Sequence, residues 1–290
     1  MSGLPKTEID AWIGKAEERW LHPLLGHVES CFQPTFLPSH DHTHHLRVWK
    51  TGSRLLREIA WIREDLDPGL VEGLLIASLF HDAGMHRSTG PDHGKWSREL
   101  CAEYFRNEPQ PHPARWEEIL DAIERHDLKT PEVYPELSSS APPGILGLLS
   151  LADDLEAFGI IGIYRYIEIY LARRTPLAEL GIRVLANASA RYSHLRRAFG
   201  DTSLSAGNYR EKYNELVDFF DGYNQQWVAG WGHTRLVHWG HQGVVRAIVE
   251  LVLEKRIHPE QLHPVSDRNT TFVSGFFKRL HDEMETESNS

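Results

Sequence analysis

A chain of 290 residues is long enough for one large domain, or a core domain with an extension, and it can bury a sizeable core without covalent staples. Its two cysteines, Cys31 and Cys101, exclude a disulfide framework and a thiolate zinc site, and its net charge of −10 excludes a protein that coats nucleic acid by releasing counterions. No apolar run reaches the length of a membrane span, and the opening MSGLPKTEIDAW lacks the basic and apolar regions of a signal peptide, so a soluble cytoplasmic protein is expected.

Apolar spacing follows a helical period almost throughout, with no sustained alternation, and predicts an all-α fold. A first helix covers roughly residues 7 to 20, after which the three prolines of HPLLGHVESCFQPTFLPSHD break the chain. Asp41 offers a cap for a second helix running to about Trp61, with His44, Val48, Leu55 and Ile59 on one face. A third, over about residues 68 to 82, is apolar on all sides and therefore central.

A fourth helix starts at Asp92, another cap, and carries His93, Trp96, Leu100 and Tyr104 on one stripe. The next, over about residues 114 to 127, aligns Trp116, Ile119, Ile123 and His126. A turn-rich connector then leads through Pro142 and Pro143 into the apolar helix ILGLLSLADDLEAFG. Further helices follow Gly159, in which Tyr164, Tyr166, Tyr170, Phe219, Phe220 and Tyr223 recur at helical spacing and read as core. The polar tail HDEMETESNS is expected to fray. With no internal repeat and no separating linker, the expected organisation is a core over residues 1–160 and a helical extension over 161–290 packed on it.

Eighteen histidines outnumber the eleven phenylalanines. In LLIASLFHDAGMHR a buried helix ends on adjacent His81 and Asp82, which desolvation penalises unless something pairs them. His44, His93, His126 and Asp153 also fall on interior faces of separate helices. A lone histidine on such a face is more often a hydrogen-bonded core residue, and a His-Asp doublet at a helix end is commonly a capped ion pair. The joint pattern in one half of the chain favours a metal. Imidazole and carboxylate together suit Mn, Fe, Co, Ni or Zn, with Mg also admissible, and this set suffices for two ions. Successive helix positions stand about 100° apart, so His81 could bind one ion while Asp82 bridges both.

These residues resemble the motifs of the HD superfamily of metal-dependent phosphohydrolases. SHDHTHHLRVWK is similar to its first motif and selects His44, with Arg47 and Val48, over His42 and His45. LFHDAG matches its signature doublet, and LSLADDLEAFG its last motif, selecting Asp153 over Asp154. DHGKWSRELCAEYF and AIERHDL resemble the segments that supply a second ion's ligands in some members, which makes His93 and His126 ligands, with His86 and His112 as competitors. The resemblance covers about residues 38–160. The chain lacks the GYP that follows the doublet in bacterial cyclic dinucleotide phosphodiesterases, the HDIGHPPFGH of dNTP triphosphohydrolases, and the acidic pair of guanosine tetraphosphate hydrolases. Substrate identity therefore does not carry over.

What the resemblance implies is hydrolysis of a phosphate ester or anhydride, in a nucleotide or a related small phosphorylated molecule, by a water that divalent ions activate. Arg47, Arg87, Lys95, Arg98 and Lys129 adjoin the motifs as candidate phosphate-binding cations, Arg47 foremost because it belongs to one. Asp127 and Asp154 are candidate partners for the ligating imidazoles or for the leaving group, and each also reads as a helix-surface carboxylate. His233, His238 and His241 in HTRLVHWGHQ match no metal motif well and read as packing. An HD-type mixed-valent diiron oxygenase and a non-catalytic nucleotide- or partner-binding module are the rival classes. The extension could cap the site, form a homodimer interface, or both.

Overall fold

The computed structural model describes residues 3–108, 111–130, 133–134, 137, 143–200, 209–231, 236–262 and 271–289. Pro142 and His233 lie outside the described residues. Among the described residues the protein is all-α, without a strand, and no helix is long and apolar enough to cross a membrane. It divides into two compact units: Met1–Glu156 with Arg191–Gly207, and Ala157–Ala190 with Asn208–Ser290.

The first unit is built around α3 (Pro68–Phe80), capped at its start by Asp67, whose side chain accepts from the Leu70 amide. From Leu70 to Phe80 it is buried except at Glu72, as a helix apolar on every side should be. Around it pack α1 (Lys6–Phe32), α2 (His42–Ala60), α4 (His93–Asn107), α5 (Trp116–Arg125) and α6 (Ile145–Leu155).

The prolines do not break the chain where the sequence suggests, because α1 continues through Pro23 to Phe32. Ile9, Ile13, Ala16, Trp20, Leu24, Val28 and Phe32 form one buried stripe that crosses the proline, with three members beyond it. An interior proline costs about 3 kcal/mol, whereas burying each large apolar side chain contributes about 1.5–3 kcal/mol, so the stripe outweighs the break. In α2 the Asp41 side chain accepts from the Thr43 amide, and His44, Val48, Leu55 and Ile59 are buried. In α4 the buried line runs through His93, Ser97, Leu100, Cys101 and Phe105, leaving Trp96 and Tyr104 half-buried. Asp92 stands at the cap position without capping, since its oxygens accept from Ser88 and Trp96.

The second unit contains α7 (Gly159–Ala172), α9 (Tyr209–Gln226), α10 (Gly240–Ala247) and α11 (Thr271–Asn289). Tyr164, Tyr166, Phe219, Phe220 and Tyr223 are core residues, and Tyr170 is half-buried. The α7 amides of Ile160 and Ile161 donate to Glu283 of α11, a carboxylate placed where the helix dipole favours it. The tail is helical to Asn289 rather than frayed, anchored by buried Val273, Phe276, Phe277, Leu280 and Met284. Helix α8 (Leu177–Phe199) contributes its first part to this unit and residues from Arg191 onward to the first.

Candidate metal centre

Helix α3 ends at Phe80, and the chain turns through His81 and Asp82 into a 3-10 turn, Ala83–His86. Asp82 takes φ −105°, ψ 5°, leaving the helical path so that its carboxylate does not follow the α3 stripe. The turn is tightly enclosed. A Cβ on Gly84 would lie 2.2 Å from the His93 carbonyl oxygen and 2.6 Å from the Ser97 nitrogen, and one on Gly94 2.4 Å from the Glu124 carbonyl oxygen. Only hydrogen at these positions lets α4 approach the turn and α5 closely enough for His93 to face His126.

His44, His81, Asp82, His93, His126 and Asp153 converge and are all buried. They form two triads, His44 with His81 and Asp153, and Asp82 with His93 and His126. In the first, the Nε2 atoms of His44 and His81 are 3.3 Å apart, and Asp153 Oδ1 lies 3.7 and 4.0 Å from them. In the second, Asp82 Oδ1 lies 3.3 Å from His93 Nε2 and 3.0 Å from His126 Nε2, which are 3.3 Å from each other. The other Asp82 oxygen, Oδ2, faces the first triad at 3.7 Å from His44 and 3.4 Å from His81. Two ligands about 2.1 Å from one ion, at tetrahedral or octahedral angles, stand about 3.0–3.4 Å apart. The second triad meets that spacing throughout, and in the first the carboxylate sits slightly wide.

The donor chemistry tests the fit independently. Nδ1 of His81, His93 and His126 lies 2.8, 2.7 and 2.8 Å from the carbonyl oxygens of Ser78, Gly90 and Ile123. A carbonyl only accepts, so each Nδ1 carries the hydrogen and each neutral ring presents an Nε2 lone pair. The Nε2 atoms of His93 and His126 then face one another and Asp82 Oδ1, an arrangement that a proton or a metal ion among them would satisfy. Burial would raise the Asp82 carboxyl, but His81 and hydrogen bonds with His126, His44 and His81 hold it well below the usual carboxylate range. Burial likewise opposes charge on His93, yet the neighbouring Asp82 carboxylate pushes it up to about 9.

The other candidates separate. His86 bonds the Ala83 carbonyl and accepts from Arg87, and exposed His112 stacks on Trp116, so neither enters a triad. Arg47 is buried, with Nε donating to Glu156 Oε2 at 3.0 Å and Nη1 to Thr43 Oγ1. Its guanidinium therefore takes part in an internal ion pair. Lys95 is exposed, Arg98 pairs with Glu124, and Arg87 lies over Trp96. Asp127 points outward with its side chain 47% exposed, because one step past His126 turns it off the buried face. Asp154, by contrast, is fully buried. It accepts from Tyr134, at 2.5 Å, and pairs with Lys129 and Arg191. Arg191 was not foreseen, although a signal existed: it falls between Ala188 and Leu195 on the buried stripe of α8. His241 packs against Phe219 and Phe272 beside a cavity of about 420 Å³ in the second unit, joining no ligand group among the described residues.

Among the described residues the first unit is all-helical and carries two buried histidine–aspartate triads, each able to hold a metal ion. Residues 42–157, two fifths of the chain, match the model of the HD domain. The domain family is generally one of metal-dependent hydrolases. Neither the comparison with curated proteins nor that with solved structures returned a match.

Proposed function

We propose that the chain is a metal-dependent phosphohydrolase holding two divalent ions, one at each triad, and cleaving a phosphomonoester, phosphoanhydride or phosphodiester bond in a small phosphorylated molecule, with nucleotides the first candidates. Asp82 carries this reading, because its two oxygens face opposite imidazole pairs and so offer one carboxylate to both ions. When bound, such ions supply an acidified water and Lewis acidity toward a phosphoryl oxygen, so no serine or cysteine nucleophile is required.

The chain's own residues supply the rest. Backbone carbonyls behind three imidazoles fix their tautomer and aim. Low exposure around the doublet excludes bulk water and strengthens the electrostatic interactions of the site. Lys129 and Arg191, beside Asp153, offset carboxylate charge that would otherwise repel an incoming phosphate.

The test is metal content of protein purified without chelator, together with phosphate release from a nucleotide panel in Mn²⁺, for the wild type, His81→Ala and Asp82→Asn. About two ions per chain, with release abolished in both variants, is the expected result. Two irons with no release from any substrate would replace the hydrolase by an oxygenase, and no stoichiometric metal would refute the site.

A further inference from the structure

We infer that Arg191, with Lys129 beside it, is a positioning residue for the metal centre: by gripping the outer oxygen of Asp153 it decides which oxygen faces His44 and His81. The inference rests on the two-metal reading above and concerns a residue well past position 157, where the family match ends.

A carboxylate turns about a single bond, so a ligand that presents one oxygen must have the other one held. Asp153 Oδ1 faces the imidazoles, and Oδ2 accepts from Arg191 Nη1 at 3.2 Å and lies 3.4 Å from Lys129 Nζ. The same two cations meet Asp154 Oδ1 at 2.5 and 3.0 Å, and the Tyr134 hydroxyl donates to Asp154 Oδ2 at 2.5 Å. Asp154 therefore never reaches the centre. It anchors the two cations from behind, and they in turn hold Asp153. The side chains of Arg191 and Lys129 are 14% and 15% exposed, so these contacts are only partly screened.

The two triads are thus supported differently. His93 and His126 are aimed by carbonyls of their own local turns, and Asp82 is set among four imidazoles. Asp153 depends on cations from other elements. Loss of Arg191 is therefore expected to weaken the His44–His81–Asp153 triad alone, by the 10–100-fold typical of losing a group that orients a ligand.

The experiment is equilibrium dialysis of the full chain against Mn²⁺, with bound metal measured per chain and helicity followed by circular dichroism. Arg191→Met would leave the buried Asp154 carboxylate with Lys129 as its remaining cation, so it is paired with Asp154→Asn to keep the charge balance, and Arg191→Lys serves as the rescue. The wild type should bind two ions, the double variant about one with unchanged helicity, and Arg191→Lys close to two. Adding His126→Ala to the double variant should remove the remaining ion, whereas adding His44→Ala should not. Two ions bound with wild-type affinity by the double variant, or loss of both, would overturn the inference while leaving the two-metal reading standing. Failure of the wild type to bind Mn²⁺ would overturn both.

Discussion

Arg47→Met is expected to damage the fold rather than the reaction. Arg47 and Glu156 have side chains 3% and 5% exposed and meet at 3.0 Å, so solvent screens the pair little. At that distance the interaction is about 5 kcal/mol for an effective dielectric of about 20, and removing one partner of a buried pair typically costs about 3–5 kcal/mol. Replacing both with apolar residues removes the charge left behind, so Arg47→Met with Glu156→Met should fall within about 1–2 kcal/mol of the wild type. For a unit of this size, 1 kcal/mol moves the thermal midpoint by about 2–4 °C, so the single variant should melt about 6–20 °C lower and the double variant close to normally. Calorimetry of all the variants, followed by phosphate release at saturating and limiting substrate, is the assay. A double variant that melts normally but shows a raised KM would refute this reasoning, because Arg47 would then touch substrate.

Gly84→Ala should destabilise the first unit by at least the about 1–3 kcal/mol of an overpacked core, because its Cβ would meet backbone, and should cost the ion at Asp82, His93 and His126 in a Mn²⁺ titration. Gly26→Ala, whose Cβ would meet nothing within 4 Å, should be neutral or stabilising by up to about 1 kcal/mol. Glu283→Gln removes a charged acceptor from the Ile160 and Ile161 amides, and calorimetry should show about 0.5–2 kcal/mol lost with metal content unchanged. Burial holds the His241 pKa below its ordinary 6.5, so between those two values the unfolded chain binds a proton that the folded chain does not. Stability should therefore fall as pH drops below about 6.5, by at most about 1.4 kcal/mol per unit from this group. Thermal melts at pH 7.5 and 5.5 should differ less in His241→Phe than in the wild type, and equal differences would contradict the assignment.

The helices of the first unit were legible because burial writes a stripe, and His44, His93, His126 and Asp153 because each stands on one, whereas His81 and Asp82 were legible as an ionisable doublet at the end of an apolar run. Pro23 misled because a local rule about a missing amide was set against a stripe that continues on both sides. Asp127 and Asp154, read alike in the sequence as imidazole partners or surface carboxylates, part for a similar reason. Both adjoin a ligand, and only the direction of the next helical step, inward in α6 and outward after α5, separates them. Arg47 was legible as important but not in its task, since Glu156, more than a hundred residues away, decides what its guanidinium does. Arg191 lies past every motif, and its charge on an apolar stripe acquires meaning only once α8 is placed beside Asp154.

Three of the triad imidazoles are oriented by the carbonyl three residues earlier in the chain: Ser78 for His81, Gly90 for His93 and Ile123 for His126. Each ring thus carries its own mount within a single turn of backbone. Residues farther out can be exchanged without re-aiming those nitrogens. If the proposed two-ion site is right, the walls around it can vary while the three rings stay in register, so specificity would be easier to redesign than chemistry.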